Sequence, residues 1–398
     1  MNWGTQLYLS AEEKKRYSLD EIEKRLKRIL QRPEMSRLLF WNTEDDQYSE
    51  IVLRLCRESG TECWLWFPVL ADTLVSTDNA QPSINHKGES GLCSPGSMKL
   101  SGKGEEDFSF TCPSDRTFEK LSEEHLDDLL DRYDYDGVFL DRIRYPSFAN
   151  GLPLLYSCVC PECCSRMNID REGIAGEFES LSGDDFLQLF CGDEPTGRTE
   201  QRFPLIHRFV KERMRLITEK VERLNRIIRS RDKGMALDLF SPGLARAVGQ
   251  DYAALSQIAD WIKPMTYAMA WGPAGIPLEL DCLFRGIRET FSDMEEDKII
   301  KTLEKMMGHD LKPYWDKRSE TGFPSSLAFS EWKRAEEYSE SCRFFPGIEL
   351  VHSELFQTKV PESRAAEAVD LFSGNAEILA CWNCLEIPEL YFTMLDQG

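Results

Sequence analysis

Two acidic residues in this chain interrupt or end apolar runs that read as buried β-strands. In YDYDGVFLDRIRYPS (133–147) the run Val138, Phe139, Leu140 ends on Asp141, with Arg142, Arg144 and Tyr145 directly after it. A charge at such a place is costly to bury unless it is paired or used, and the two arginines can hold it as an anion. In GMALDLFSP (234–242) Asp238 shares a face with Ala236 under the two-residue alternation of a strand. Adjacent strands would present Asp141 and Asp238 side by side. Two carboxyls at about 5 Å suit retaining hydrolysis of a glycosidic bond: one is the nucleophile, the other a proton donor whose pKa its neighbour raises. The same residues also suit a structural Asp–Arg pair, with Asp238 bonded to the next loop. Glu349, His352 and Glu354 offer further acids or transition-state stabilisers.

Aromatic and amide side chains gather at the ends of the same runs: Trp41 with Asn42, Trp64, Trp66 and Phe67, Tyr267 with Trp271 beyond it, and Trp382 with Asn383. Sugar rings stack their apolar faces on aromatic rings, and amides, arginines and carboxylates read their hydroxyls. Taken singly, each aromatic suits a core position as well; their coincidence at one set of strand ends favours a sugar site. YSCVCPECCSRM brings Cys158, Cys160 and Cys163 together in a spacing that can aim three thiolates at a structural zinc. The fourth ligand is open among Cys164, Cys112 and Cys93, and a thiol-rich turn without metal fits the same residues. The five histidines form neither H-x-H nor H-E-x-x-H, which argues against a metal-dependent hydrolase. No cofactor is expected for catalysis.

These residues need a scaffold that brings strand ends to one face. Short apolar runs at 6–10, 37–42, 62–70, 137–143, 234–240, 260–267, 347–352 and 377–383 alternate with segments of helical period. Ser18 and Glu21 form a capping box ahead of Ile22, Leu26 and Ile29. Eight strands and eight crossovers predict a closed (β/α)8 TIM barrel. An open doubly wound sheet has the same alternation, but no glycine-rich phosphate loop follows the first strand. The barrel is expected to occupy residues 1–398 as a single domain. Insertions fall at about 72–116, 147–202 and 311–343; the first two read as irregular loops on the active face, and the third as a region outside the barrel with a helix at 329–340.

The 398 residues carry a net charge of −21, which argues against nucleic acid or an anionic membrane as partner. No apolar run reaches the roughly 20 residues of a membrane span. MNWGTQLYLSAEEKKRYS lacks the pattern of a signal peptide, so a cytoplasmic protein with reduced thiols is expected.

The segments DGVFLDRIRYPS and LDLFSPGLARAVGQDYAALSQIADWIKPMTY resemble those of glycoside-hydrolase-type (β/α)8 barrels, in order over most of 38–267. The resemblance implies a carbohydrate substrate. By similarity with alpha-amylase-like and alpha-galactosidase-like barrels, it makes Asp141 the nucleophile. The amylase-like pattern puts the acid on strand five, where Asp238 replaces the usual Glu. The galactosidase-like pattern seeks it after strand six, where no carboxylate precedes Glu279. Two other readings stay open: a catalytically silent, glycan-binding or scaffold barrel, and a barrel of other chemistry using Tyr267 or His352 as base.

Overall fold

The computed structural model describes residues 2–9, 11–41, 45–76, 80–90, 110–192, 197–272, 274–353, 358–374 and 377–398. Strands β1 (Trp3–Tyr8), β2 (Met35–Trp41), β3 (Glu62–Pro68), β4 (Gly137–Asp141), β5 (Gly234–Phe240) and β6 (Trp261–Met265) run parallel in sequence order. The seventh stave is broken into β7 (Arg343–Phe344) and β8 (Gly347–Glu349), both paired to β6. A short antiparallel ribbon, β9 (His352–Ser353) with β10 (Thr358–Lys359), sits outside the sheet, and β11 (Ile378–Cys381) is the eighth stave. β11 pairs with β8 and β1, and β5 pairs with β6, so the sheet closes. This is the (β/α)8 barrel that the alternation of periods implies.

Aromatic rings fill the interior. Phe139 stacks on Trp261 with centroids 5.4 Å apart, and Trp64 meets Trp261 edge-on at 5.0 Å. Above them Trp66 packs on Trp41 at 5.0 Å, and Trp41 on Tyr8 at 5.2 Å. The Trp64 ring fits because β4 and β5 carry glycine where it lies. A Cβ on Gly137 would meet the Trp64 ring and lie 2.8 Å from the Gly234 carbonyl oxygen.

Outside the barrel, helix Leu19–Leu30 starts on the Ser18–Glu21 capping box and buries Ile22, Leu26, Ile29 and Leu30. The crossover from β4 to β5 ends in the 27-residue helix Pro204–Ser230, which buries Phe209, Leu216, Ile217, Val221 and Leu224.

Two sequence expectations need correction. The segment 147–202 is not irregular: it contains helices Leu152–Leu155, Pro161–Met167, Arg171–Glu179, Gly183–Phe190 and Gly197–Arg202. Each spans two or three turns at most, too short for a hydrophobic period to stand out. Three of them start on side-chain caps instead, at Cys160, Asp170 and Ser182. The 311–343 region does not lie apart from the barrel. Its helix runs Ser325–Glu336 rather than 329–340, and Trp332 donates to the Phe344 carbonyl of β7 at 3.0 Å.

The glycine constraint can be tested directly. Gly137→Ala is expected to destabilise the protein by about 1–3 kcal/mol through overpacking against Trp64. Chemical denaturation reads this as a lowered midpoint, and a midpoint equal to the parent's would show that the ring has room.

Candidate active site

Strand register delivers the two carboxylates together. Leu140 of β4 pairs with Leu237 of β5, so the following residues, Asp141 and Asp238, stand one strand spacing apart, roughly 4.8 Å. Both line one cavity of about 330 Å³ at the C-terminal ends of the strands, the face on which barrels of this type carry their active sites. Gln6, Tyr8, Trp41, Trp66, Phe240, Met265, Tyr267, Trp382 and Asn383 surround them. Asp72, Thr73 and Leu74 form the wall contributed by the first insertion, while no described residue of 147–202 lines the cavity.

Asp141 is 6% exposed. Its Oδ2 accepts from Trp66 Nε1 at 2.9 Å and lies 3.6 Å from Arg142 Nε. Arg142 takes left-handed backbone (φ 55°), which turns its own amide onto Asp141 Oδ1 at 2.5 Å. Asp72, also left-handed (φ 46°), holds the Arg142 guanidinium at 3.1 Å. Non-glycine residues in this region store strain and cluster at functional sites; here two of them meet beside one carboxylate. Indole N–H, amide and guanidinium together fix the orientation of the Asp141 carboxyl.

Asp238 is treated differently. Burial pushes its pKa up from 3.8 to about 7, with the Lys263 ammonium opposing and the Asp141 charge reinforcing that rise. Lys263 is fully buried, and Asp238 Oδ2 lies 2.9 Å from its Nζ. The ammonium also donates to Gln6 Oε1 at 3.1 Å and to the Tyr267 hydroxyl at 2.9 Å. Burial is the largest influence and works against its charge, but the charge and hydrogen bond of Asp238, with Cys381 and Asp141 adding to them, together hold the lysine above its ordinary pKa. The contact to Oε1 fixes the Gln6 amide orientation, because an ammonium cannot accept. That leaves Gln6 Nε2 and Asp238 Oδ1 without partners among the described residues. Buried polar atoms rarely go unpaired, and both residues line the cavity.

Of the residues singled out from sequence, Asp141, Asp238, Trp66, Arg142, Arg144, Tyr267, Trp382 and Asn383 line this cavity. Arg144 does not pair with Asp141. Its guanidinium lies between the rings of Phe110 and Phe240, at 4.8 and 4.6 Å, and burial lowers its pKa to about 10. Asn383 donates to the Tyr8 carbonyl at 2.9 Å, and Trp382 meets Tyr267 edge-on at 5.4 Å.

The structure brings four others elsewhere. Tyr145 is buried under the Arg213 guanidinium, 4.3 Å from its ring. Trp271 is half-buried and outside the cavity lining. His352 is exposed in the β9–β10 ribbon, its Nε2 3.1 Å from the Val360 carbonyl oxygen. Glu349 is buried and accepts from the amides of Met269 and Ala270, so it anchors the loop after β6. Asn42, Cys93 and Glu354 lie outside the described residues.

Sequence reasoning missed Gln6, Asp72 and Lys263. Lys263 carried a usable signal, since it interrupts the apolar strand DWIKPMTY much as Asp238 interrupts β5. Asp72 carried none, because its role depends on a left-handed turn after β3.

No protein-family profile and no curated protein matches this sequence. Solved structures that it resembles include glycoside hydrolases with (β/α)8 barrels. One is the catalytic domain of a beta-amylase from Paenibacillus polymyxa, with TM-score 0.55, 10% identity, and coverage of 99% of this chain and 97% of that one. Another is a beta-galactosidase from the psychrophilic Marinomonas ef1, with TM-score 0.55, 9% identity, and coverage of 100% of this chain and 58% of that one. At such identities the likeness is one of fold. No described helix is long and apolar enough to cross a membrane.

Glu349 gives a pH-dependent test. Burial raises its pKa from 4.5 to about 7. The folded protein therefore holds this proton more tightly than the unfolded chain does. The associated stability is fully present below pH 4.5 and is lost as pH rises through 7, by about 3 kcal/mol. Glu349→Gln keeps an acceptor for the two amides and has no charge to bury. Its melting temperature relative to the parent's is expected to climb between about pH 5 and about pH 8; a constant difference would show that Glu349 does not titrate on folding.

Proposed function

We propose that the protein is a glycoside hydrolase acting by a retaining, two-carboxylate mechanism, with the whole chain serving as one catalytic unit. The observation that carries the reading is the pair Asp141 and Asp238. They stand on adjacent strands of one aromatic-walled cavity, one beside a guanidinium and the other with its pKa raised to about 7. Opposite protonation of two neighbouring carboxyls divides the roles of nucleophile and acid.

In this reading a sugar ring stacks among Trp41, Trp66 and Trp382, with a hydroxyl meeting Gln6 Nε2. Arg142 and Trp66 aim the Asp141 carboxylate. Asp141 attacks the anomeric carbon while Asp238 gives its proton to the departing glycosidic oxygen, leaving a glycosyl ester on Asp141. Asp238, now a carboxylate beside the Lys263 ammonium, takes a proton from water as that water displaces Asp141 and releases the sugar. Lys263 stabilises the anion that Asp238 becomes between the two steps. The reaction needs no cofactor.

The Lys263 contact also supports a second reading, a barrel that binds glycans without cleaving them, because an ammonium 2.9 Å away opposes protonation of Asp238. Burial outweighs that opposition, so the hydrolase is favoured.

A mixed panel of α- and β-aryl glycosides and oligosaccharides separates the two. Turnover by the parent, lost about 10⁴-fold or more in a folded Asp141→Asn and about 10²–10⁴-fold in Asp238→Asn, is the expected result. Sugars that raise the melting temperature of the parent without turnover would support the binding protein instead. For the hydrolase, the profile of kcat/KM against pH is expected to fall on its basic side near 7, as Asp238 loses its proton. A profile flat through that range would remove Asp238 from the acid role.

A further inference from the structure

Four thiols from two insertions meet in one buried cluster. Cys112 belongs to the insertion after β3; Cys158, Cys160 and Cys163 belong to the one after β4. Cys112 Sγ lies 3.4 Å from that of Cys163, 3.5 Å from Cys160 and 3.8 Å from Cys158. All four sulfurs lie within 4.8 Å of one another, and all four residues are buried. A tetrahedral ion with metal–sulfur bonds of about 2.3 Å requires sulfurs about 3.8 Å apart. A disulfide would draw sulfurs together in pairs at about 2.05 Å, and the twelve described cysteines are free.

The surroundings carry the complementary charge. The Ser114 amide donates to Cys112 Sγ at 3.4 Å, and the Cys163 amide to Cys160 Sγ at 3.3 Å. Arg213 is fully buried and donates one bond, from Nη1 to the Ala247 carbonyl at 3.2 Å. Its Nε and Nη2, and the Tyr145 hydroxyl, have no partner among the described residues. Both side chains lie within electrostatic reach of Cys158 and Cys163. Four neutral thiols leave this guanidinium without an anion. A metal tetrathiolate, with net charge −2, supplies one.

The geometry points to a structural zinc site made by Cys112, Cys158, Cys160 and Cys163, which clips the insertion after β3 to the insertion after β4. Zinc fits because four thiolates in a closed tetrahedron suit a borderline-soft ion without redox chemistry. Four Zn–S bonds form as the thiol protons pass to solvent, and no oxidation state changes. The clip bears on the cavity through short connections. Thr111, next to Cys112, donates its amide to the Leu70 carbonyl at 2.8 Å, and Phe110 packs on Arg144. Arg144 is followed directly by Tyr145.

The test uses the full chain and does not depend on any activity. Protein purified without chelator and incubated with zinc under reducing conditions is expected to keep about one zinc per chain after desalting. Replacing zinc with cobalt is expected to give the intense visible bands and thiolate charge transfer of a tetrahedral tetrathiolate. Cys112→Ser is expected to lose the metal and the spectrum, whereas Cys164→Ser, the neighbouring thiol outside the cluster, keeps both. Zinc-free wild-type protein, disulfides among the four cysteines under reducing conditions, or full zinc retention in Cys112→Ser would each overturn the site. If Cys112→Ser does not fold, the wild-type zinc content and cobalt spectrum still decide.

Discussion

Inside the closed sheet, the Lys263 ammonium and the Asp238 carboxylate lie 2.9 Å apart, with both side chains shut away from solvent. Taking two charges out of water costs several kcal/mol each, and their attraction offsets this only when the remaining hydrogen-bonding capacity is met. Lys263 meets all of its own: three donors find Asp238, Gln6 and Tyr267. Asp238 does not, since its buried Oδ1 has no partner among the described residues. Strands one, five and six are thus tied together beneath the cavity by one cation. The unmet capacity sits on the carboxyl of Asp238, a residue that lines the cavity. A pair built only for stability would be better satisfied or replaced by packed apolar residues.

The carboxylate on the neighbouring strand is held by different means. Asp141 takes its contacts from an indole, its neighbour's amide and a guanidinium. The amide reaches it because Arg142 adopts left-handed backbone, and the guanidinium is steered by Asp72, itself left-handed. The strain of two such residues falls at the ends of adjacent strands β3 and β4, where the polar layer opens to solvent. Beneath that layer the aromatic column of Trp261, Phe139, Trp64 and Trp66 supplies a rigid, low-dielectric floor. Burial raises the pKa of Asp238, whereas Asp141 is oriented by an indole, an amide and a guanidinium.

The insertions have distinct uses. The first sends Asp72, Thr73 and Leu74 to the cavity wall and Phe110 against Arg144. The second packs as short helices on helix Pro204–Ser230 and meets the first at the four thiols. Glu349, deep in the seventh stave, spends its carboxylate on the loop after β6. A buried acid at a strand end is therefore not sufficient to mark a reacting group. Its oxygens must also face a space that a substrate can enter.

The sequence by itself determined the barrel and most of its polar mouth. Eight apolar runs separated by helical periods leave few closed arrangements, and β-strand alternation sends Asp238 to the same side as Ala236. Asp141, Trp66, Tyr267 and Trp382 were legible because each stands at the end of a strand whose direction the alternation of elements fixes. Tertiary structure alone decided what depends on contacts between distant segments or on single backbone angles. The fourth thiol, Cys112, is remote in sequence from the other three, and no local spacing could choose it over Cys93 or Cys164. The short helices of 147–202 show no long hydrophobic period, and three of them start on side-chain caps. Asp72 reaches Arg142 through a left-handed turn, and Glu349, a strand-end acid like Asp141, turns out to face a loop's amides rather than the cavity. Periodicity fixes which face of an element is buried; it does not fix which polar atom on that face is left without a partner.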